Sequence, residues 1–190
     1  MIGGSFKLGI IPTVMSTLLP LFLRTVLKAY PKLVLEIEEM PTQQIIENLE
    51  KGTLDAGIAA TPLDYEHIFE KPLYYEPFMV YAPTHSKLSK EKSINAEIFK
   101  DERVLLLQDG HCFRNSALNI CKIKHEVPLP FEIKSGSFET LIQLAEEGLG
   151  ITLLPYLNTR KLSDKQQLNL KSFEIPEPAR EVSRFTINEN

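Results

Sequence analysis

The chain has 190 residues, 43% of them hydrophobic and 24% charged, with a formal net charge of −4. That suffices for a packed core but lacks the basic surplus that neutralises a phosphate backbone, which argues against direct nucleic-acid binding by this stretch. Two cysteines are too few for a disulfide scaffold and point to a reducing, cytoplasmic setting, where a disulfide would be a regulated one.

Residues 8–23, LGIIPTVMSTLLPLFL, have the apolar character of a leader or a membrane span. Pro12 and Pro20 argue otherwise: they cut the run into a short strand and the first turn of a helix over 19–30, which then carries Arg24 and Lys28. No targeting segment and no membrane association are expected. Further along, strand-length apolar runs (FKLGII, VLEIEE, DAGIAA, FMVYAP, RVLLLQ, FEIKS, ITLLP) are separated by helical stretches. Besides 19–30, helices are expected over 42–51, behind the capping-type Thr42, and over 137–148, where Gly148 supplies a stop. The class is α/β. The chain passes from one α/β set into a second around Pro72 to Pro83, and returns around Pro176 to Pro178. Two crossings imply two lobes with a cleft between them: residues 1–76 with 181–190, and residues 77–180.

In open α/β sheets ligands gather outside the carboxyl ends of the strands, where helix N-termini present free N–H groups. Thr13 follows FKLGII, Thr42 follows VLEIEE, and Gly110, His111 and Cys112 follow RVLLLQ, so all three groups are candidates for one cleft. Taken singly, each threonine reads as a helix cap.

Both cysteines fall in GHCFRNSALNIC, residues 110–121. Phe113, Ala117, Ile120 and Cys121 recur at helical spacing and mark one apolar face, so Cys121 is expected to be buried. Cys112 starts the helix, where the macrodipole and Arg114 favour a thiolate, and His111 adds a donor. Nine helical positions separate the sulfurs by about 13 Å, whereas a disulfide needs Cα atoms within about 7 Å. Joining them requires the helix to unwind, which turns oxidation into a change of shape. From spacing alone two readings stand together: a redox switch, or two inert core cysteines. A metal site on Cys121 and His125, with Cys112, lacks a second paired motif, and none is expected. His67 and His85, in polar loops, read as solvated.

The strings LLLQDGHCFRNSALNIC, SFETLIQLAEEGLGITLLP, LGIIPTV and MPTQQIIENLEKGTLDAGIAA resemble the regulatory domains of the OxyR family of peroxide-sensing LysR-type transcriptional regulators, over nearly the whole chain. The GHCxR segment with a second cysteine nine positions on is specific to these sensors, whereas the GITLLP and GxLDxxI elements belong to LysR-type effector domains broadly. The resemblance implies two Rossmann-like, periplasmic-binding-protein-like subdomains joined by two crossover segments. It makes Cys112 the peroxidatic cysteine and Cys121 its resolving partner, and places Thr13, Thr42, Gly110, His111 and Arg114 around hydrogen peroxide. It implies no cofactor and no enzyme activity as such. The expected partners are a second copy of the domain in a homodimer, tetrameric in the full-length protein, and a thiol reductant such as glutaredoxin or thioredoxin. Promoter DNA and RNA polymerase are expected to be reached only through the full-length protein. The helix over 19–30, apolar nearly all round, is the expected dimer face. Asn115 replaces an acidic residue of some relatives. Members carry an N-terminal winged helix-turn-helix domain and a linker helix, and a closing helix after the strand matching REVSRFTI, so the chain is expected to be a regulatory fragment. The alternatives are a LysR-type small-molecule effector domain without redox switching, and a thiol peroxidase.

Overall fold

A computed structural model describes residues 3–63, 65–95, 102–108, 112–120 and 135–187. In chain order the elements are β1 (Gly3–Ile10), α1 (Pro12–Ala29), β2 (Lys32–Glu39), α2 (Thr42–Glu50), β3 (Ala56–Thr61), β4 (Phe69–Tyr81), β5 (Ser93–Ile94), β6 (Val104–Leu105), α3 (Cys112–Ile120) and α4 (Phe138–Glu146). They continue with β7 (Ile151–Pro155), α5 (Tyr156–Thr159), α6 (Asp164–Gln167), β8 (Leu170–Phe173) and β9 (Ala179–Thr186). The chain divides into two compact units, Met1–Tyr75 with Glu181–Asn190, and Glu76–Arg180; β4 leads from the first to the second and β9 leads back.

Unit 1 is a βαβαβ run. β1 lies parallel between β2 and β3, with Ile10 opposite Glu39 on one side and Ile58 on the other, and β9 closes the sheet antiparallel to β3. Ile10, Ile45, Ile46 and Phe185 are buried in its core. Gly57 has to be glycine, since a Cβ there would stand 2.5 Å from both Ile45 Cγ2 and Phe185 Cζ. Helix α1 differs from the expected 19–30. It starts at Pro12, in the first turn where a missing N–H costs nothing, and runs through Pro20, which is exposed so that its lost hydrogen bond faces water. Only Thr13, Val14 and Thr17 of α1 are buried, while Leu21 and Leu27 are exposed.

In unit 2, β4 pairs antiparallel with β7 and β8, β6 runs parallel to β7, and β5 runs parallel to β8. The run RVLLLQ yields only the two-residue strand β6, and residues 131–134 of the expected strand FEIKS lie outside the described residues. Helix α4 ends near its expected stop, where Gly148 has φ +83°. Tyr81 is fully buried; its hydroxyl donates to Glu146 Oε1 at 2.6 Å and accepts from Asn169 Nδ2 at 3.3 Å.

The first and last residues of unit 2 are joined to each other. Arg180 Nε and Nη2 converge on Glu76 Oε2 at 2.9 and 2.7 Å, with the two side chains only 2% and 1% exposed. Glu76 Oε1 accepts the backbone N–H of Leu157, in the first turn of α5, at 2.8 Å. The face of the guanidinium lies 5.4 Å from the ring centre of Phe113, which packs in turn on Phe78 at 5.0 Å and edge-on to Phe138 at 4.9 Å.

Two outcomes follow for stability. Glu76→Leu strands a buried guanidinium and should cost about 3–5 kcal/mol in urea unfolding of unit 2, and adding Arg180→Met should recover most of that by removing the orphaned charge. The Tyr81 phenol is pushed up to about 12 by burial and by its hydrogen bond to Glu146. In the unfolded chain it ionises near 10, so its contribution is complete below pH 10 and is lost as pH rises towards 12. Alkaline unfolding of Tyr81→Phe should therefore show a shallower loss of stability between those two values than the parent chain.

Candidate functional site

Helix α3 is the centre of the candidate site. It follows β6 through residues 106–111, and Cys112 is its first residue, so the backbone at Cys112 stands among the unpaired N–H groups of a helix N-terminus. The helix runs without a break from Cys112 to Ile120, a rise of about 12 Å. Phe113 and Ala117 are buried at 1% and 0%, Asn115 and Asn119 are exposed, and Arg114, Ser116 and Leu118 are half-buried. The apolar face expected from Phe113 and Ala117 is therefore present. Arg114 reaches back along the helix, and its Nη1 donates to the Leu107 carbonyl at 3.1 Å. Gly110, His111, Cys121 and His125, and the side chain of Cys112, lie outside the described residues.

Thr13 and Thr42 belong to unit 1. Both stand in the first turn of a helix that leaves the carboxyl end of a parallel strand, α1 after β1 and α2 after β2. Neither is a cap. The N-cap positions are Ile11 and Pro41, whose side chains make no capping bond, and each threonine falls one or two residues inside its helix. The capping expectation misplaced the helix boundary: Pro12 and Pro41 supply the fixed φ that opens each helix without a side-chain acceptor. The consequence differs between the two. Thr13 is 3% exposed and engaged in a contact. Thr42 Oγ1 is buried with no hydrogen-bond partner. A buried hydroxyl is nearly always paired, and an orphan marks a place that a ligand or water completes.

His67 and His85 are exposed, His67 with Nε2 2.9 Å from Glu50 Oε1. Two cavities among the described residues lie elsewhere. One of about 390 Å³, lined by Phe6, Leu54, Asp55 and Arg184, sits by the amino end of β3; the other, of about 310 Å³, sits by the amino ends of β6 and β7, between His85, Arg103 and Gly148. The Glu76–Arg180 pair beneath Phe113 left no signal in the sequence, since its partners are 104 positions apart. No described helix is long and apolar enough to cross a membrane.

The model of the LysR substrate binding domain matches residues 2–186. A probable hydrogen peroxide-inducible genes activator of Streptomyces viridosporus is 33% identical over 181 residues, which cover 95% of this chain and 58% of that protein. The HTH-type transcriptional regulator EstR of Acinetobacter baylyi is 34% identical over 188 residues, covering 96% of this chain and 60% of that protein. The chain thus spans about three fifths of the length of these curated relatives, which are transcriptional regulators rather than enzymes. Among solved structures, the reduced form of the OxyR regulatory domain of Pseudomonas aeruginosa superposes with a TM-score of 0.83 at 31% identity, covering 97% of this chain and 89% of that one. With two α/β units joined by two strands, and with these matches along its length, the chain belongs to the LysR substrate-binding domain family and, within it, to the group of OxyR regulatory domains.

Proposed function

We propose that this chain is the hydrogen peroxide-sensing part of a LysR-type transcriptional regulator and switches by a reversible Cys112–Cys121 disulfide. The observation that carries the reading is α3 itself: one unbroken helix begins at Cys112 and ends at Ile120, immediately before Cys121. Its N-terminus lowers the cost of a thiolate at Cys112, and Arg114, directed towards the start of the helix, adds positive charge on that side.

The Cys112 thiolate attacks one peroxide oxygen; the S–O bond forms, the O–O bond breaks, and the departing hydroxide takes up a proton to leave as water. Thr13, Thr42, His111 and the Gly110 backbone orient the peroxide, and the buried Thr42 hydroxyl, which has no hydrogen-bond partner, is free to bond it. The Cys121 thiol then attacks the sulfenic sulfur, forming S–S and releasing a second water that carries its proton. α3 has to unwind for this, because its ends are about 12 Å apart and the disulfide needs about 7 Å or less. A dithiol reductant of the glutaredoxin or thioredoxin kind restores the reduced form. Leu21, Leu27, Tyr30 and Val34, exposed on α1, just after it and on β2, form the face through which two copies pair as a homodimer. Tetramer assembly, promoter DNA and RNA polymerase belong to the full-length regulator, acting in the cytoplasm.

A second reading, a small-molecule effector domain without redox switching, is favoured by the match to the LysR substrate binding domain, and the unpaired Thr42 hydroxyl would then face a metabolite. One equivalent of peroxide separates the two. On the sensor reading, mass spectrometry finds a loss of two hydrogens confined to Cys112 and Cys121, and amides of residues 116–120 lose hydrogen-exchange protection. Cys121→Ser stops at a trappable sulfenic acid and keeps that protection. The effector reading expects no selective loss.

The threonines give a sharper outcome than a cap would. Thr42→Val removes a buried hydroxyl that has no partner, so stability should hold or rise. Peroxide oxidation of Cys112, followed by stopped flow, should slow at least about tenfold, or about 1.4 kcal/mol in the barrier. An unchanged rate in both Thr42→Val and Thr13→Val would remove the threonines from the peroxide site.

A further inference from the structure

We infer that unit 2 carries a separate small-molecule site, at the amino ends of β6 and β7, which takes the phosphate group of a small phosphorylated metabolite. The place is the cavity of about 310 Å³ lined by His85, Lys87, Arg103 and the turn Gly148 to Gly150, all within unit 2. It precedes β6, whereas α3 follows that strand. The turn closes α4 and leads into β7, Arg103 comes from just before β6, and His85 and Lys87 come from just after β4. Gly148 holds a left-handed φ of +83°, and a Cβ on Gly150 would stand 2.5 Å from the Arg103 carbonyl oxygen. Both glycines leave the backbone bare. The His85 ring lies against the first, with Nε2 3.6 Å from where a Cβ would be, and the Arg103 side chain crosses the second, with Cγ 3.3 Å from the corresponding point.

The charges around this cavity are not balanced. Arg103 is half-buried, and its Nε is shut off from solvent with no hydrogen-bond partner. Glu102 also lines the cavity, but it has a contact of its own and, among the described residues, forms no salt bridge with Arg103 or Lys87. A guanidinium N–H taken out of water without a partner is a cost that a bound oxyanion removes. The guanidinium fork fits two oxygens of a phosphate or of a carboxylate alike, so charge decides between them. A phosphate monoester carries about −1.5 to −2 near neutral pH, which matches the two fixed cations Arg103 and Lys87 with the imidazole of His85 beside them. A monocarboxylate would leave one cation unanswered. The volume exceeds that of bare phosphate and leaves room for a small organic part.

The isotopically labelled 190-residue chain is titrated with inorganic phosphate, glycerol phosphate and acetate at constant pH and ionic strength, and two-dimensional NMR follows the amides of Gly148 and Gly150. Both phosphate probes should shift these amides saturably, with acetate at least about tenfold weaker. Arg103→Gln should weaken both phosphate probes at least about tenfold. Lys71→Gln, which removes the same charge from an exposed position in unit 1, should leave them unchanged. Acetate binding as tightly as phosphate overturns the phosphate assignment. Equal losses in the two variants reduce the effect to net charge and overturn the site, as does the absence of a saturable shift with either phosphate probe. Should Arg103→Gln fail to fold, His85→Gln combined with Lys87→Gln, both at exposed positions, carries the same comparison. None of these readings involves either cysteine, so the site stands or falls apart from the disulfide switch.

Discussion

A carboxylate and a guanidinium withdrawn from water hold unit 2 together at its ends. Burying two charges is expensive, and the attraction between them offsets that cost only when the remaining hydrogen-bonding capacity is also met. Here it is met from several directions: Glu76 gives one oxygen to Arg180 and the other to the Leu157 N–H, and the Arg180 guanidinium lies over the Phe113 ring. Each of these satisfactions fixes a different element. β4 enters unit 2 at Glu76, β9 leaves it at Arg180, α5 is tied through Leu157, and α3 through Phe113. Lysine would not substitute, since an ammonium offers neither two adjacent donors to one carboxylate oxygen nor a flat face for a ring.

The dependence of α3 on this pair follows from its length. A nine-residue helix is well below the roughly 12–15 residues at which an isolated helix becomes marginally stable in water. Its persistence therefore comes from packing, and the packing is unevenly spread, with a phenylalanine in the first turn and an alanine in the second. Among the described side chains, its largest buried group is therefore in the first turn. On the disulfide switch proposed above, closing a loop of about ten residues would cost about 2.7 kcal/mol in chain entropy, small against the driving force of peroxide oxidation.

What the sequence disclosed was local. Strand-length apolar runs locate β1, β2, β3 and β7, and period-3.6 patterns locate α2 and α4, because those signals are carried by residues adjacent in the chain. At α1 the proline rule places a boundary at Pro20 that the structure lacks, because a helix tolerates the loss of one bond where the carbonyl faces solvent. A threonine after a strand has the pattern of a cap, whereas the capping positions here are Ile11 and Pro41. The amino-terminal half of β4, FEKPLYYE, carries charges and a proline and shows no apolar alternation, so the sequence gives no strand signal there. Glu76 and Arg180 were unreadable for a different reason. Isolated charged residues in polar contexts look like surface, and only the tertiary fold brings together two residues 104 positions apart.

Among the described residues, the Glu76–Arg180 pair and the Thr42 hydroxyl are buried on opposite terms. At Glu76 and Arg180 several donors and acceptors close on one another, and the result is rigid. At Thr42 a hydroxyl at the start of α2 is shielded from solvent and left without a partner, a standing cost of about 1–3 kcal/mol that a bound oxygen would relieve. A fold that only needed to be stable would place valine at residue 42, which keeps the shape and removes the penalty. Threonine there is accounted for if the free hydroxyl is used, at the carboxyl end of a parallel strand, on a small polar ligand that comes and goes. The saturated pair packs against Phe113 in the first turn of α3, and on the proposed reading the unpaired hydroxyl is where a ligand would bond.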